Sequence, residues 1–161
     1  MTAARGRVPQ AGNEWFHRAV RYLARFDRTA AQVARFLTSK GAPHSQVTQI
    51  ISRLSALHYL DDRAYAARWL EARLARRPMG RDRLKRELMA RGVGEPLADE
   101  AITEGLDGLD EETLARRALE LKRVAGRNRR QRAAALLRLR GFEEETIERI
   151  ITDCPGEERP P

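Results

Sequence analysis

The chain has 161 residues, with 31 Lys and Arg against 23 Asp and Glu, a formal net charge of +8 and a sequence pI near 10.6. At 42% hydrophobic and 34% charged residues it matches a folded, highly charged helical protein and not a disordered one. No apolar run approaches the roughly 18 residues a membrane span needs, and a single cysteine, Cys154, excludes a disulfide framework or a thiolate metal site within one chain.

In chain order, residues 1–13 carry Arg5 and Arg7 without the apolar core of a signal peptide, so a disordered start and a cytoplasmic location are expected. The first amphipathic helix is predicted over about 14–26. Thr29 and Gln32 then read as a capping box opening a second helix, which stops near Lys40-Gly41. Pro43 sits where the first turn of a third helix tolerates a missing N–H. Asp61 and Asp62 are predicted to cap a helix that carries Tyr65, Trp69 and Leu70 on one face, with Trp69 in the core. A helix ending at Arg91-Gly92 and one opening at Pro96 follow; Asp110 then precedes a helix bearing Leu114, Ala118 and Leu121. The last turn, Arg140-Gly141-Phe142, leads into Glu143, Glu144 and Glu145, which place negative charge at a helix start. No segment alternates with period two, so no strand is predicted.

The three basic-Gly-apolar turns mark an internal repeat. Gly41, Gly92 and Gly141 are spaced by 51 and 49 residues. Four residues before each glycine stand Leu37, Leu88 and Leu137; six after come Val47, Ala98 and Ile147, and ten after come Ile51, Ile102 and Ile151. These spacings put the apolar positions on one helical face. The glycines fit the left-handed residue that ends a helix, which needs no ligand to explain it. The fold class that follows is all-α: three tandem three-helix repeats at 14–58, 59–108 and 109–153 in an elongated, curved array, with a disordered tail at 154–161. A module of about 45 residues is marginal alone, so the repeats are expected to lean on one another.

Charge is segregated. Residues 73–91 hold eight basic and two acidic residues, 92–112 hold eight acidic and none basic, and 113–140 hold ten basic and one acidic. The candidate partner-binding or DNA-binding residues are Arg76, Arg77, Arg81, Arg83, Lys85, Arg86 and Arg91 in the second repeat. In the third they are Arg123, Arg127, Arg129, Arg130 and Arg132. Arg83 and Arg86 are expected to face away from Leu84 and Leu88, open to a partner. The competing reading is a solvated face partly neutralised by the acidic third helices. Aromatic residues do not interleave with the clusters, so the charge speaks for phosphate or acidic protein surface and not for base stacking.

Catalytic signatures are missing. The sequence has no phosphate-binding glycine loop, no paired metal-ligand histidines and no nucleophile elbow, and the adjacent carboxylates Asp61 and Asp62 fit helix capping. No cofactor, no metal and no enzymatic activity are expected.

The run Tyr59-Leu60-Asp61-Asp62-Arg63-Ala64-Tyr65-Ala66-Ala67-Arg68-Trp69, with Gly80-Arg81-Asp82-Arg83-Leu84-Lys85-Arg86-Glu87-Leu88 and Arg91-Gly92-Val93, resembles the RecX family of RecA regulators. Arg28 to Val33 and Arg138 to Phe142 resemble that family's first-repeat entry and third-repeat turn. The resemblance implies three three-helix modules. It also implies a protein without catalysis that binds RecA and its nucleoprotein filament, blocking extension, ATPase and strand exchange. The third repeat departs from the family in its Arg-rich stretch between Arg127 and Arg132, which leaves RecA or DNA open as its docking partner. The chain is expected to act as a monomer with no membrane contact. An independent DNA-binding protein of helix-turn-helix-like modules is the alternative.

Overall fold

A computed structural model describes residues 10–124, 126 and 128–153. Of the expected disordered ends at 1–13 and 154–161, residues 1–9 and 154–161, with Arg5, Arg7 and Cys154, lie outside the described residues, as does the candidate Arg127.

Among the described residues there are nine helices and no strand. They are α1 Gln10–Leu23, α2 Ala30–Ser39, α3 His44–Ala56, α4 Asp62–Arg76, α5 Arg81–Ala90, α6 Glu95–Gly105, α7 Glu111–Lys122, α8 Arg129–Leu139 and α9 Glu144–Asp153. Taken in threes they are the tandem three-helix repeats of the sequence reading. Helix α1 opens at Gln10, so residues 10–13 are helical and not part of a disordered start. It also ends at Leu23, short of Phe26, because the chain must turn there to present Thr29 as the cap of α2.

The chain folds as two compact units: one runs to Tyr65 and takes in Arg91–Val93, the other comprises Ala66–Ala90 and the chain from Gly94 onward. In the first unit, Phe16, Ala19, Val33, Leu37, Val47, Ile50, Leu54 and Leu60 form the core. Tyr22 stacks on Phe36 beside it, ring centroids 4.1 Å apart. Helix α2 starts where the capping box predicts: Gln32 N donates to Thr29 Oγ1 and Thr29 N donates to Gln32 Oε1, both at 3.2 Å. Thr29 is fully buried because its hydroxyl has a second task, donating to the carbonyl of Arg91 at 2.6 Å.

The two aspartates divide their labour differently from the sequence expectation. Asp61 accepts from Ala64 N at 2.9 Å and caps α4, whereas Asp62 accepts from Ala30 N at 2.8 Å and so supports the start of α2. Burial pushes the Asp62 carboxyl above its usual range, the Ala30 N–H opposes this, and Asp61 and Asp27 add repulsion. A group whose folded pKa is raised contributes stability below its unfolded pKa and loses it as pH rises through the folded value. At neutral pH the ionised Asp62 therefore costs stability. Asp62→Asn keeps the acceptor and removes the charge. It should raise the melting temperature at pH 7, with the gain shrinking toward acid; a lower melting temperature at pH 7 would show that the charge itself holds α2.

In the second unit Leu70, Leu74, Met79, Leu84, Leu88, Ile102, Leu114, Leu137, Phe142, Ile147 and Ile150 are buried. Asp110 caps α7 by accepting from Thr113 N at 2.6 Å. Trp69, expected in the core, is only half-buried and lies under the Arg73 guanidinium at 5.2 Å, where amphipathic packing replaces full burial.

The repeat columns hold with one shift. The positions four before and six after each glycine are all buried, as is the position nine after: Ile50, Ala101 and Ile150. Of the position ten after, only Ile102 is buried, while Ile51 and Ile151 are half-exposed. The three turn glycines have φ of +91°, +91° and +72°, the left-handed conformation that ends each second helix.

Successive repeats meet at these turns. The residue that opens the second helix of one repeat grips the carbonyl before the turn glycine of the next. Thr29 does so to Arg91, and Gly80, 51 residues later, donates its N–H to Arg140 O at 3.1 Å. The contact is close enough to exclude side chains. A Cβ on Gly92 would collide with the Ala31 methyl, and one on Gly80 would fall onto the Gly141 carbonyl; around Gly41 there is open space.

Candidate basic interface

The structure sorts the eleven described candidate cations by what surrounds them. Arg83 is not open to a partner as its helical position suggests. Its guanidinium pairs with Glu87 at 3.5 Å and donates to the Leu139 carbonyl, and its Cβ lies 2.8 Å from where a side chain on Gly141 would start. Glu87 also pairs with Arg73. Burial works to raise the Glu87 pKa, but the two guanidinium groups outweigh it and hold the carboxyl below its usual range. Sequence periodicity treats α5 as an isolated cylinder; the following turn covers the face it leaves bare.

Lys85 is likewise engaged. Its ammonium bridges Glu95 at 2.8 Å and Asp99 at 2.9 Å, and these hydrogen bonds, Glu95 foremost, raise its pKa. Arg81 is exposed and donates to the Thr103 hydroxyl at 3.3 Å. Arg91 is half-buried, with its carbonyl in the joint to Thr29. Arg130 and Arg132 are exposed on α8.

The remaining five, Arg76, Arg77, Arg86, Arg123 and Arg129, are exposed and form no ion pair with another described residue. Arg76 and Arg77 close α4, and Arg77 lies near enough to the buried Arg140 to disfavour that second cation. Burial is the larger influence lowering the Arg140 pKa. Arg140 itself is structural: it is 5% exposed and donates to the carbonyls of Pro78 and Ala118 at 3.3 and 3.4 Å.

In the third repeat Arg123 ends α7 in the left-handed conformation, φ 51°, and Asn128 before α8 is left-handed too, φ 63°. Asn128 provides no side-chain cap, and α8 opens on Arg129 and Arg130 with no acidic residue in its first turn. Cations at the positive end of a helix dipole are unfavourable unless an anion joins them. Arg123 and Arg129 border a notch of about 240 Å³ floored by Leu119 and Ile150. Arg116, on the same rim, is tied to Glu112 and Asp153 at 2.7 and 2.6 Å. Among the described residues there is no cluster of His, Cys, Asp and Glu able to hold a metal ion, and no helix long and apolar enough to cross a membrane.

Comparison with known proteins agrees with this architecture. The family described as "RecX, second three-helix domain" matches residues 61–102, the stretch that holds α4, α5 and most of α6. The chain is 32% identical over 144 residues to a protein named regulatory protein RecX from Streptomyces coelicolor, covering 86% of this chain and 76% of that one. It is 31% identical over 144 residues to the protein of the same name from Chlorobaculum tepidum, covering 87% and 88%. The crystal structure of RecX from Lactobacillus salivarius superposes with a TM-score of 0.72 at 23% identity, over 91% of this chain and 97% of that one. That likeness shows a shared fold, and the sequence relatives show the kinship: the chain belongs to the RecX family.

Proposed function

We propose that this protein is a regulator without catalytic activity that binds RecA and its nucleoprotein filament and slows filament extension, ATP hydrolysis and strand exchange. Kinship with proteins named regulatory protein RecX carries the reading. The basic surface supports it. Arg76 and Arg77 in one repeat, and Arg123 and Arg129 in the next, offer cations that no described carboxylate neutralises. Phosphates of filament DNA, or acidic protein beside them, are the partners such a surface attracts at long range.

RecA ATP hydrolysis on single-stranded DNA, with this protein titrated in below stoichiometry, tests the proposal. Inhibition is expected at a small fraction of the RecA concentration, since one protein on a filament affects many subunits. No inhibition at equimolar protein and moderate salt would overturn the reading and favour DNA binding independent of RecA.

A further inference from the structure

The three repeats differ in the groove between their second and third helices. In the second repeat side chains bridge it. Lys85 reaches across to Glu95 and Asp99, and Arg81 reaches Thr103. In the third, Arg138 crosses to Glu144. Subtracting the 51-residue repeat places Ala30, Ala34, His44 and Thr48 of the first repeat where the second has Arg81, Lys85, Glu95 and Asp99. None of those four can form the clasp. The groove between α2 and α3 consequently stands open, about 670 Å³, with Ala34, Val47 and Ile51 among its lining.

The surroundings say what would occupy it. From residue 30 to 56 the chain has no Asp or Glu, while Arg35 and Lys40 are basic; Asp62 stands at the Ala30 end, where its carboxylate accepts from Ala30 N. Arg35 and His44 line the groove itself. Along α2 the lining runs from Ala30 to Ser39, a rise of about 13 Å at roughly 1.5 Å per residue. An amphipathic helix spans about 10 Å from its anchor at i to that at i+7, so two turns of one fit this length.

We propose that the α2–α3 groove docks a short amphipathic helix of a protein partner, apolar side chains seated against Ala34, Val47 and Ile51 and acidic residues facing Arg35 and Lys40. None of the groove's lining residues belongs to the Arg clusters of the second and third repeats, and the inference does not depend on their role.

Two fluorescein-labelled 14-residue helical peptides test it with the full-length protein, both with Leu at i, i+4 and i+7, one with Glu and one with Lys at the remaining exposed positions. Anisotropy should show saturable binding of the Glu peptide and at least tenfold weaker binding of the Lys peptide. Ala34→Lys with Thr48→Asp rebuilds the clasp of the second repeat and should weaken the Glu peptide at least tenfold with unchanged circular dichroism. Thr48→Asp alone, at an exposed position, guards against misfolding and should shift affinity the same way. The proposal is overturned if the Glu peptide fails to saturate by millimolar concentration, if the two peptides bind equally, or if both variants bind it undiminished. It is also overturned if sedimentation shows a dimer that the clasp variant abolishes, for then a second copy of the chain fills the groove.

Discussion

Replacing Gly80 with alanine should destabilise the second unit by about 2–4 kcal/mol, a large effect for one methyl group. The cause is not backbone strain, for Gly80 is not among the residues with positive φ. It is the approach of another backbone. The added Cβ would land on the carbonyl of Gly141, with the Phe142 nitrogen 2.9 Å away, and neither can rotate aside as a side chain would. Relief requires the turn at 140–142 to back away, which breaks the Gly80 N–H bond to Arg140 O and loosens the grip of the Arg140 guanidinium on Pro78 O. Two controls separate this from generic glycine effects. Gly94→Ala has φ −62° and open space around it, so it should be nearly neutral. Gly41→Ala also has open space but φ +91°, and should cost only the left-handed strain, about 1 kcal/mol. Urea melts followed by circular dichroism would rank the three. If Gly80→Ala is no worse than Gly41→Ala, the joint is softer than its geometry.

That joint marks the boundary of what the sequence makes legible. Helix-ending glycines follow from a local rule, so the positive φ of Gly41, Gly92 and Gly141 could be read from the basic-Gly-apolar pattern. The further demand on Gly80 and Gly92 is set by residues more than sixty positions away, and nothing local reports it. In the sequence Gly80 is simply part of a Pro-Met-Gly turn, and only its 51-residue offset from the Thr29 cap hints that both do the same work.

Arg83 was opaque for the same reason. Helical periodicity correctly turns it away from Leu84 and Leu88, but the turn of the following repeat occupies the space it points into. Asp62 reads as a cap of its own helix because a carboxylate at a helix start usually is one, whereas its oxygen serves Ala30, 32 residues earlier. The exposure of Arg76, Arg77, Arg86, Arg123 and Arg129 was legible because each lies at a helix end or on a solvated face, where local rules are the ones that operate.

Those arginines carry the second large effect. Arg76→Glu, Arg77→Glu, Arg123→Glu and Arg129→Glu combined should lower affinity for the RecA filament at least about 100-fold at moderate salt while leaving the fold intact. The fold should survive because none of the four pairs with a described carboxylate, and Arg77→Glu replaces the charge that disfavours buried Arg140 with one that favours it. Salt dependence then tells which chemistry the cations serve. If they meet DNA phosphates, the wild-type affinity falls linearly with log salt concentration, and losing four contacts flattens that slope by about 3 on single-stranded DNA, at roughly 0.7 per phosphate. If they meet acidic protein surface, affinity falls with salt through screening, and the variant loses binding to RecA filaments without a matching loss on naked DNA. Unchanged affinity and slope would mean the four arginines are a solvated face, and Arg130 and Arg132 on α8 would then be the cations to reverse next. Arg83→Glu provides the contrast: its partners are Glu87 and the Leu139 carbonyl, so its loss should appear first in the melting curve.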